Sequence, residues 1–114
     1  MKLPYGDAAN RNQIIQKLET YALDFIHSSG RHKARLFCSK LGITIENKEV
    51  LVTALLEIAI ASDAILTMSD QYGDRYVIDF PLTTGVGTSM VRSAWIVRRG
   101  EQYPRLTSVY PIET

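Results

Sequence analysis

Apolar residues in the first half of the chain recur every three to four positions, which is the spacing of amphipathic helices. This pattern predicts helices over residues 13–27, 33–41 and 47–61. Gly42 is placed to end the second helix, and Asn47 is placed to cap the third. The apolar positions of the first helix are Ile14, Ile15, Leu18, Tyr21, Ala22, Phe25 and Ile26. Each helix is therefore expected to bury one wide face.

Beyond Ser62 the apolar spacing changes to every second residue, which indicates β-strands. The predicted strands are residues 64–68, 75–80, 89–97 and 105–110. Connections this short cannot cross over a sheet, so neighbouring strands must run antiparallel. The sequence therefore predicts an α+β fold, in which three N-terminal helices pack on one face of a C-terminal four-stranded antiparallel meander. We expect residues 1–114 to form a single domain.

Alternation along the strands assigns each side chain to one of two sheet faces. We expect the helices to cover the face that carries Ile78, Phe80 and Trp95. The polar residues left on the open face are Asp79, Arg92, Arg105 and Thr107. Strand register cannot be derived from one sequence, so Ser108 and Tyr110 are assigned to neither face. Open antiparallel faces are normally polar, and a purely structural role for these residues stays open.

The composition narrows the classes of function. With 46% hydrophobic and 22% charged residues, the chain has the composition of a globular domain. No apolar run approaches the roughly 20 residues of a membrane span, and the first 13 residues lack the apolar core of a signal peptide. The single cysteine, Cys38, lies beside Phe37 and Leu41 at helical spacing, where a core position is expected. These features favour a cytoplasmic protein without a membrane partner.

Basic residues are concentrated in two stretches, although the net charge of the chain is only +1. The first stretch has no acidic residue and contains Arg31, His32, Lys33, Arg35 and Lys40. The second runs from Arg92 to Arg105 and holds four arginines, opposed only by Glu101. Segregated positive charge on a near-neutral protein indicates a local anionic ligand, although charged residues also coat solvated faces without any ligand.

The two histidines bear on the chemistry of such a ligand site. His27 and His32 are five residues apart, and no spacing in the chain matches a metal cage, so neither a metal nor a cofactor is expected. A histidine among cations, as at His32, is the proton-transfer group that phosphodiester cleavage needs.

Several separated motifs resemble a bacterial family of unknown-function domains. They are GRHKARLF at 30–37, LGIT at 41–44, YGDRYVIDF at 72–80, VRSAWIV at 91–97, and PRL at 104–106 followed by Tyr110. Members occur as small stand-alone proteins and at the C-termini of larger toxin-like or phage-related polypeptides. The resemblance covers almost the whole chain from Leu3 onward.

The order of helices followed by an antiparallel sheet also resembles the ribonuclease toxin superfamily of barnase, EndoU, colicin-type tRNA nucleases and RelE-like toxins. Members usually place a His, one or more Arg or Lys, and a Ser, Thr or Tyr around the scissile phosphate. By residue chemistry, the candidate catalytic residues here are His32, Arg92, Thr107 and Tyr110. The candidate RNA or phosphate contacts are Arg31, Lys33, Arg35 and Arg105.

The leading hypothesis is a metal-independent endoribonuclease that acts as the toxin of a toxin–antitoxin or polymorphic-toxin system. Its expected partners are tRNA or mRNA and a cognate antitoxin or immunity protein. RNA supplies the nucleophile in its 2′-hydroxyl, so the protein needs only an acid, a base and cations. Two alternatives stay open: a binding module for nucleic acid or an acidic protein, without catalysis, and a structural protein of a phage or secretion system.

Overall fold

The helices precede the strands, as the spacing of apolar residues predicts. The computed structural model describes residues 1–112. Its helices are α1 (Arg11–Lys17), which continues into a π-helical turn (Leu18–Ala22), α2 (Arg31–Leu41) and α3 (Glu49–Ala61), with short 3-10 turns at Gly6–Ala8 and Ile45–Asn47. Its strands are β1 (Ile65–Ser69), β2 (Gly73–Thr83), β3 (Thr88–Arg98) and β4 (Arg105–Pro111). The α+β prediction is confirmed.

The four strands form one sheet in the order β1-β2-β3-β4. Each strand pairs antiparallel with the next, because the turns between them are too short for a crossover. The β2–β3 hairpin is the longest pairing, and it runs in unbroken register from Gly73 opposite Arg98 to Thr83 opposite Thr88. The predicted meander is therefore confirmed.

The core lies between the helices and the sheet face that carries Ile78, Phe80 and Trp95. These side chains are buried, and the helices cover them with residues such as Ile14 and Phe37. α1 and α2 contact β4, whereas α3 contacts β2. The helices therefore pack on the predicted face and leave the opposite face of the sheet open.

The first helix ends earlier than predicted. The spacing of apolar residues predicts a helix over 13–27, but the helical turns end at Ala22. Phe25 and Ile26, which we expected in the buried face, are exposed. The carboxylate of Asp24 accepts a hydrogen bond from the Ile26 amide. Side-chain bonds of this kind compete with helical backbone bonds and end the helix.

The start of the third helix also differs from the prediction, because Asn47 is not its N-cap. Asn47 ends the preceding 3-10 turn, where its side chain accepts from the Thr44 amide and donates to the Gly42 carbonyl. α3 begins at Glu49 after Lys48, which makes no side-chain cap bond. The asparagine therefore fixes the connection from α2 instead of the helix start.

Two details of α2 differ from the prediction. The helix begins at Arg31, so His32 lies in its first turn. Cys38, which we expected in the core, is exposed, because α2 buries the neighbouring face that carries Ala34, Phe37 and Leu41.

A β-bulge in β4 decides which side chains reach the open face. Ala94 pairs with Ser108, but Trp95 pairs with Leu106, so Thr107 is an extra residue on β4. Strict alternation would place residues 105 and 110 on opposite faces. The inserted residue brings Arg105, Ser108 and Tyr110 to the open face and turns Leu106 and Val109 into the core.

The buried polar pair Ser93–Trp95 offers a test of this packing. Trp95 Nε1 donates to Ser93 Oγ, which donates to the Ile78 carbonyl, each at 2.9 Å. Ser93→Ala leaves the indole N–H buried without a partner, so we expect a loss of about 1–3 kcal/mol in the free energy of unfolding by urea. Ser89→Ala, where the hydroxyl donates to the adjacent Met90 carbonyl, should change this free energy by less than ~0.5 kcal/mol. Equal losses in both variants would contradict the packing.

Candidate functional site

Three polar side chains form a row across the open face. Asp79 on β2, Arg92 on β3 and Tyr110 on β4 are opposite one another in register. Arg92 Nε and Nη2 donate to the two Asp79 carboxylate oxygens, each at 2.9 Å. Hydrogen bonding to Asp79 raises the pKa of Arg92, and hydrogen bonding to Tyr110 raises it further. Arg92 is therefore a fixed cation that keeps further N–H donors for a ligand.

Lys33 approaches the same tyrosine from the helical layer. Its Nζ lies 5.4 Å from the centroid of the Tyr110 ring and 4.4 Å from that of Tyr21. The ammonium group also donates a hydrogen bond to the Tyr21 hydroxyl. Lys33 and Arg92 therefore approach Tyr110 from two different elements. We name Lys33, Asp79, Arg92 and Tyr110 the Tyr110 cluster.

The loop before α2 positions Lys33. His27 Nδ1 accepts hydrogen bonds from the amides of Ser29 and Gly30, at 3.0 and 2.9 Å. The His27 ring meets the Tyr21 ring edge-on, with 5.0 Å between centroids. Gly30 packs directly against the Tyr21 carbonyl, which a Cβ at position 30 would overlap. The loop thereby holds the start of α2 against Tyr21, and Lys33 follows within that first turn.

The other basic residues of α2 lie apart from this cluster. Arg31, His32 and Arg35 are exposed. Across residues 1–112, the His32 side chain has no hydrogen bond, ion pair or ring contact, and none joins it to Arg92. The structure thus brings Lys33 and Arg92 together with Tyr110, while His32 lies on the first turn of α2 with no contact to any of the three within residues 1–112.

Arg105 and Thr107 lie at the other end of the open face. Arg105 donates to both Glu101 carboxylate oxygens, at 3.0 and 2.9 Å, and this pairing lowers the pKa of Glu101. Thr107 Oγ1 donates to the Ala94 carbonyl at 3.0 Å. Arg105 pairs with Ile96, four residues beyond Arg92, which is about 13 Å along a strand. These two residues therefore belong to a separate part of the surface.

Small side chains lie between the two parts. Val77, Ala94 and Ser108 form the intervening row. Within residues 1–112, the buried atoms Ser108 Oγ and Arg75 Nε have no hydrogen-bond partner. Buried polar atoms are normally paired, so the open face has donors that no protein group satisfies.

Sequence reasoning missed the contribution of Tyr21. Tyr21 falls in the apolar stripe of the first helix, which predicts a core position for it. The structure shows it half-buried, with its ring between Lys17 and Lys33. No signal in the sequence distinguishes this tyrosine from an ordinary core aromatic, because its spacing is that of the buried residues around it.

The fold and the site define an α+β domain with a cationic patch on the open face of its sheet. A family model described as a domain of unknown function, DUF6883, matches residues 3–113. The chain belongs to this family, which agrees with the resemblance that its motifs show. No curated protein and no solved structure matches the chain. The similarity to ribonuclease toxins stays a prediction.

No helix within residues 1–112 is long and apolar enough to cross a bilayer. No three His, Cys, Asp or Glu side chains in the same part of the chain are grouped to hold a metal ion.

The role of His27 can be tested with two substitutions. His27→Ala removes the acceptor for the Ser29 and Gly30 amides, so we expect the free energy of unfolding to fall by about 1 kcal/mol and both amides to exchange faster with solvent. His27→Asn keeps an oxygen near the position of Nδ1 and should retain most of the protection. Hydrogen exchange measured by NMR checks this expectation. Loss of protection in both variants, or in neither, would contradict the role of Nδ1.

Proposed function

We propose that this protein binds RNA through a backbone phosphate held at the Tyr110 cluster, and that it cleaves the strand as an endoribonuclease. One observation carries the proposal: Lys33 from α2 and Arg92 from β3 both lie next to Tyr110, with Lys33 Nζ 5.4 Å from its ring centroid and Arg92 opposite it in register. Asp79 already pairs with Arg92, whereas Lys33 has no carboxylate within 4.0 Å among residues 1–112, so the cluster keeps positive charge that an anion can neutralise. A phosphate accepts hydrogen bonds from both and from the hydroxyl.

The exposure and charge of the surroundings support a polyanionic ligand. Arg92 and Asp79 side chains are 41% and 36% exposed, so a phosphate can reach the guanidinium without any opening of the core. Asp79 occupies one edge of the guanidinium, and the remaining N–H groups can bind phosphate. Arg31 and Arg35 are exposed on the same helix as Lys33 and add positive charge that a phosphate backbone can contact.

The chemistry needs two proton transfers. In the proposed reaction the 2′-oxygen forms a bond to phosphorus and loses its proton, while the bond from phosphorus to the 5′-oxygen breaks and that oxygen gains a proton. The products are a 2′,3′-cyclic phosphate and a 5′-hydroxyl. Lys33 and Arg92 stabilise the charge that develops on the phosphoryl oxygens. We assign one proton transfer to Tyr110 and the other to His32, which is exposed on the same first turn of α2 as Lys33.

A non-catalytic binding module is the second candidate. It is favoured by the lack of any contact between His32 and Arg92 within residues 1–112, because a general base must reach the proton that it removes. In this alternative the same cluster holds the phosphate, and no bond breaks.

Cleavage of labelled single-stranded RNA in a buffer with a chelator tests the proposal. Tyr110→Phe keeps the ring against Lys33 and removes only the hydroxyl, so we expect the cleavage rate to fall by about 10²–10⁴. The affinity should fall much less, because one neutral hydrogen bond to the phosphate is lost and both cations remain. His32→Ala should behave in the same way. Lys33→Ala should weaken both binding and cleavage, because it removes a phosphate contact.

The matched control removes a cation outside the cluster. Lys2→Ala also removes one positive charge, from a residue that pairs with Asp63, and should leave affinity and rate nearly unchanged. A 2′-deoxy nucleotide at the cut position should prevent cleavage. Binding that depends on salt, without any cleavage, would establish the binding module. Absence of RNA binding would contradict both candidates.

Expression in a bacterium tests the proposed role as a toxin. Induction of the wild type should stop growth and fragment cellular RNA, whereas Tyr110→Phe should do neither at equal protein levels. Growth arrest by both proteins would show that the toxicity does not come from the Tyr110 cluster. Normal growth with intact RNA after induction of the wild type would contradict the toxin role.

A further inference from the structure

A second cationic surface lies where α1 meets β4. A groove of about 230 Å³ between them is lined by residues that include Lys17, Arg98, Arg105 and Thr107. An adjoining hollow of about 430 Å³ on the open face shares Arg98 and Thr107 and adds Tyr72. Because the two depressions share lining residues, they form one continuous surface, which we name the Arg98 groove.

The charge of the Arg98 groove has one sign. Within residues 1–112, its charged lining residues are Lys17, Arg75, Arg98 and Arg105, whereas Asp74 and Glu101 line a neighbouring depression on the other side of Arg98. Arg105 is paired with Glu101, and Arg75 lies 3.9 Å from Asp70. Neither Lys17 nor Arg98 has a carboxylate within 4.0 Å among residues 1–112. A ligand that offsets this charge is an anion.

The groove is continuous with the Tyr110 cluster. The Tyr21 ring joins them on the helical side, with Lys17 Nζ 5.7 Å and Lys33 Nζ 4.4 Å from its centroid. On the sheet side, Arg92 and Arg98 lie six residues apart on β3, which is about 20 Å. One stacked nucleic-acid strand covers this distance with about six nucleotides.

An exposed aromatic side chain favours an unpaired strand over a duplex. Tyr72 is 64% exposed and lines the groove beside Arg98. A base can stack on such a ring only where it is not already stacked inside a helix. The row of small side chains that includes Ala94 and Ser108 leaves room for the chain between the two cationic ends.

We propose that the Arg98 groove is a second phosphate subsite for single-stranded RNA, in which Arg98 contacts the strand about six nucleotides away from the phosphate at the Tyr110 cluster and Lys17 contacts it between the two. This inference rests on the proposed function. It adds the substrate class, a single strand long enough to span both ends, and it assigns phosphate contacts to Lys17 and Arg98 and base stacking to Tyr72.

The test compares RNA probes of two lengths. Fluorescently labelled single strands of 4 and 12 nucleotides are titrated with wild type and with the double variant Lys17→Ala/Arg98→Ala. The double variant should lose at least tenfold in affinity for the 12-mer and clearly less for the 4-mer, which cannot reach Arg98 from the Tyr110 cluster. For the double variant, the slope of log affinity against log salt concentration should become less steep by about 1.4, because two single-strand phosphate contacts are lost. Tyr72→Ala should weaken the 12-mer more than Tyr72→Phe does.

A matched double variant separates the subsite from bulk charge. Lys2→Ala/Arg11→Ala removes two cations that pair with Asp63 and Glu49, and it should keep wild-type affinity. Equal losses in both double variants would overturn the subsite, as would equal wild-type affinity for the 4-mer and the 12-mer. A 12-base-pair duplex that binds as tightly as the 12-mer would overturn the single-strand assignment. Failure of the wild type to bind any probe would instead overturn the proposed function itself.

Discussion

A single extra residue in β4 determines what the open face of the sheet can do. Thr107 bulges between the pairs that Ala94 and Trp95 make, and it reverses the alternation for the rest of the strand. The bulge is held from two sides. Thr107 Oγ1 donates to the Ala94 carbonyl, and the Gln13 side chain from α1 exchanges two hydrogen bonds of 2.8 Å with the backbone of Leu106. The glutamine satisfies backbone groups of an edge strand that otherwise lacks a partner there.

The core and the candidate site both depend on this arrangement. Leu106 and Val109 are three positions apart, and they lie on the same buried face because Thr107 is an extra residue between them. The same extra residue places Tyr110 on the open face, opposite Arg92. The helices then supply the second half of the site, since α2 delivers Lys33 to Tyr110 and α1 carries Lys17 along the β4 edge. The polar surface is therefore assembled by the packing that closes the core.

The sequence predicts the parts of this structure that depend on periodicity. The order of elements and the burial of Ile78, Phe80 and Trp95 follow from apolar spacing alone. The end of the first helix does not, because Asp24 bonds the local backbone and ends the apolar stripe early. Register is equally hidden, since a bulge adds one residue without any signature in composition. The residue types Lys33, Arg92 and Tyr110 indicate phosphate chemistry, but only the fold shows that they converge and that His32 stands outside their contacts.

The most direct measurement of the central claim is an NMR titration of isotope-labelled protein with single-stranded RNA. Binding at the Tyr110 cluster is expected to shift the Arg92 Nε–H signal, the Tyr110 amide and the Lys33 amide. With a strand of 12 nucleotides, signals of Lys17 and Arg98 should shift as well. Shifts confined to the exposed residues of α3 and β1, or no shift at any residue, would contradict a phosphate site on the open face of the sheet.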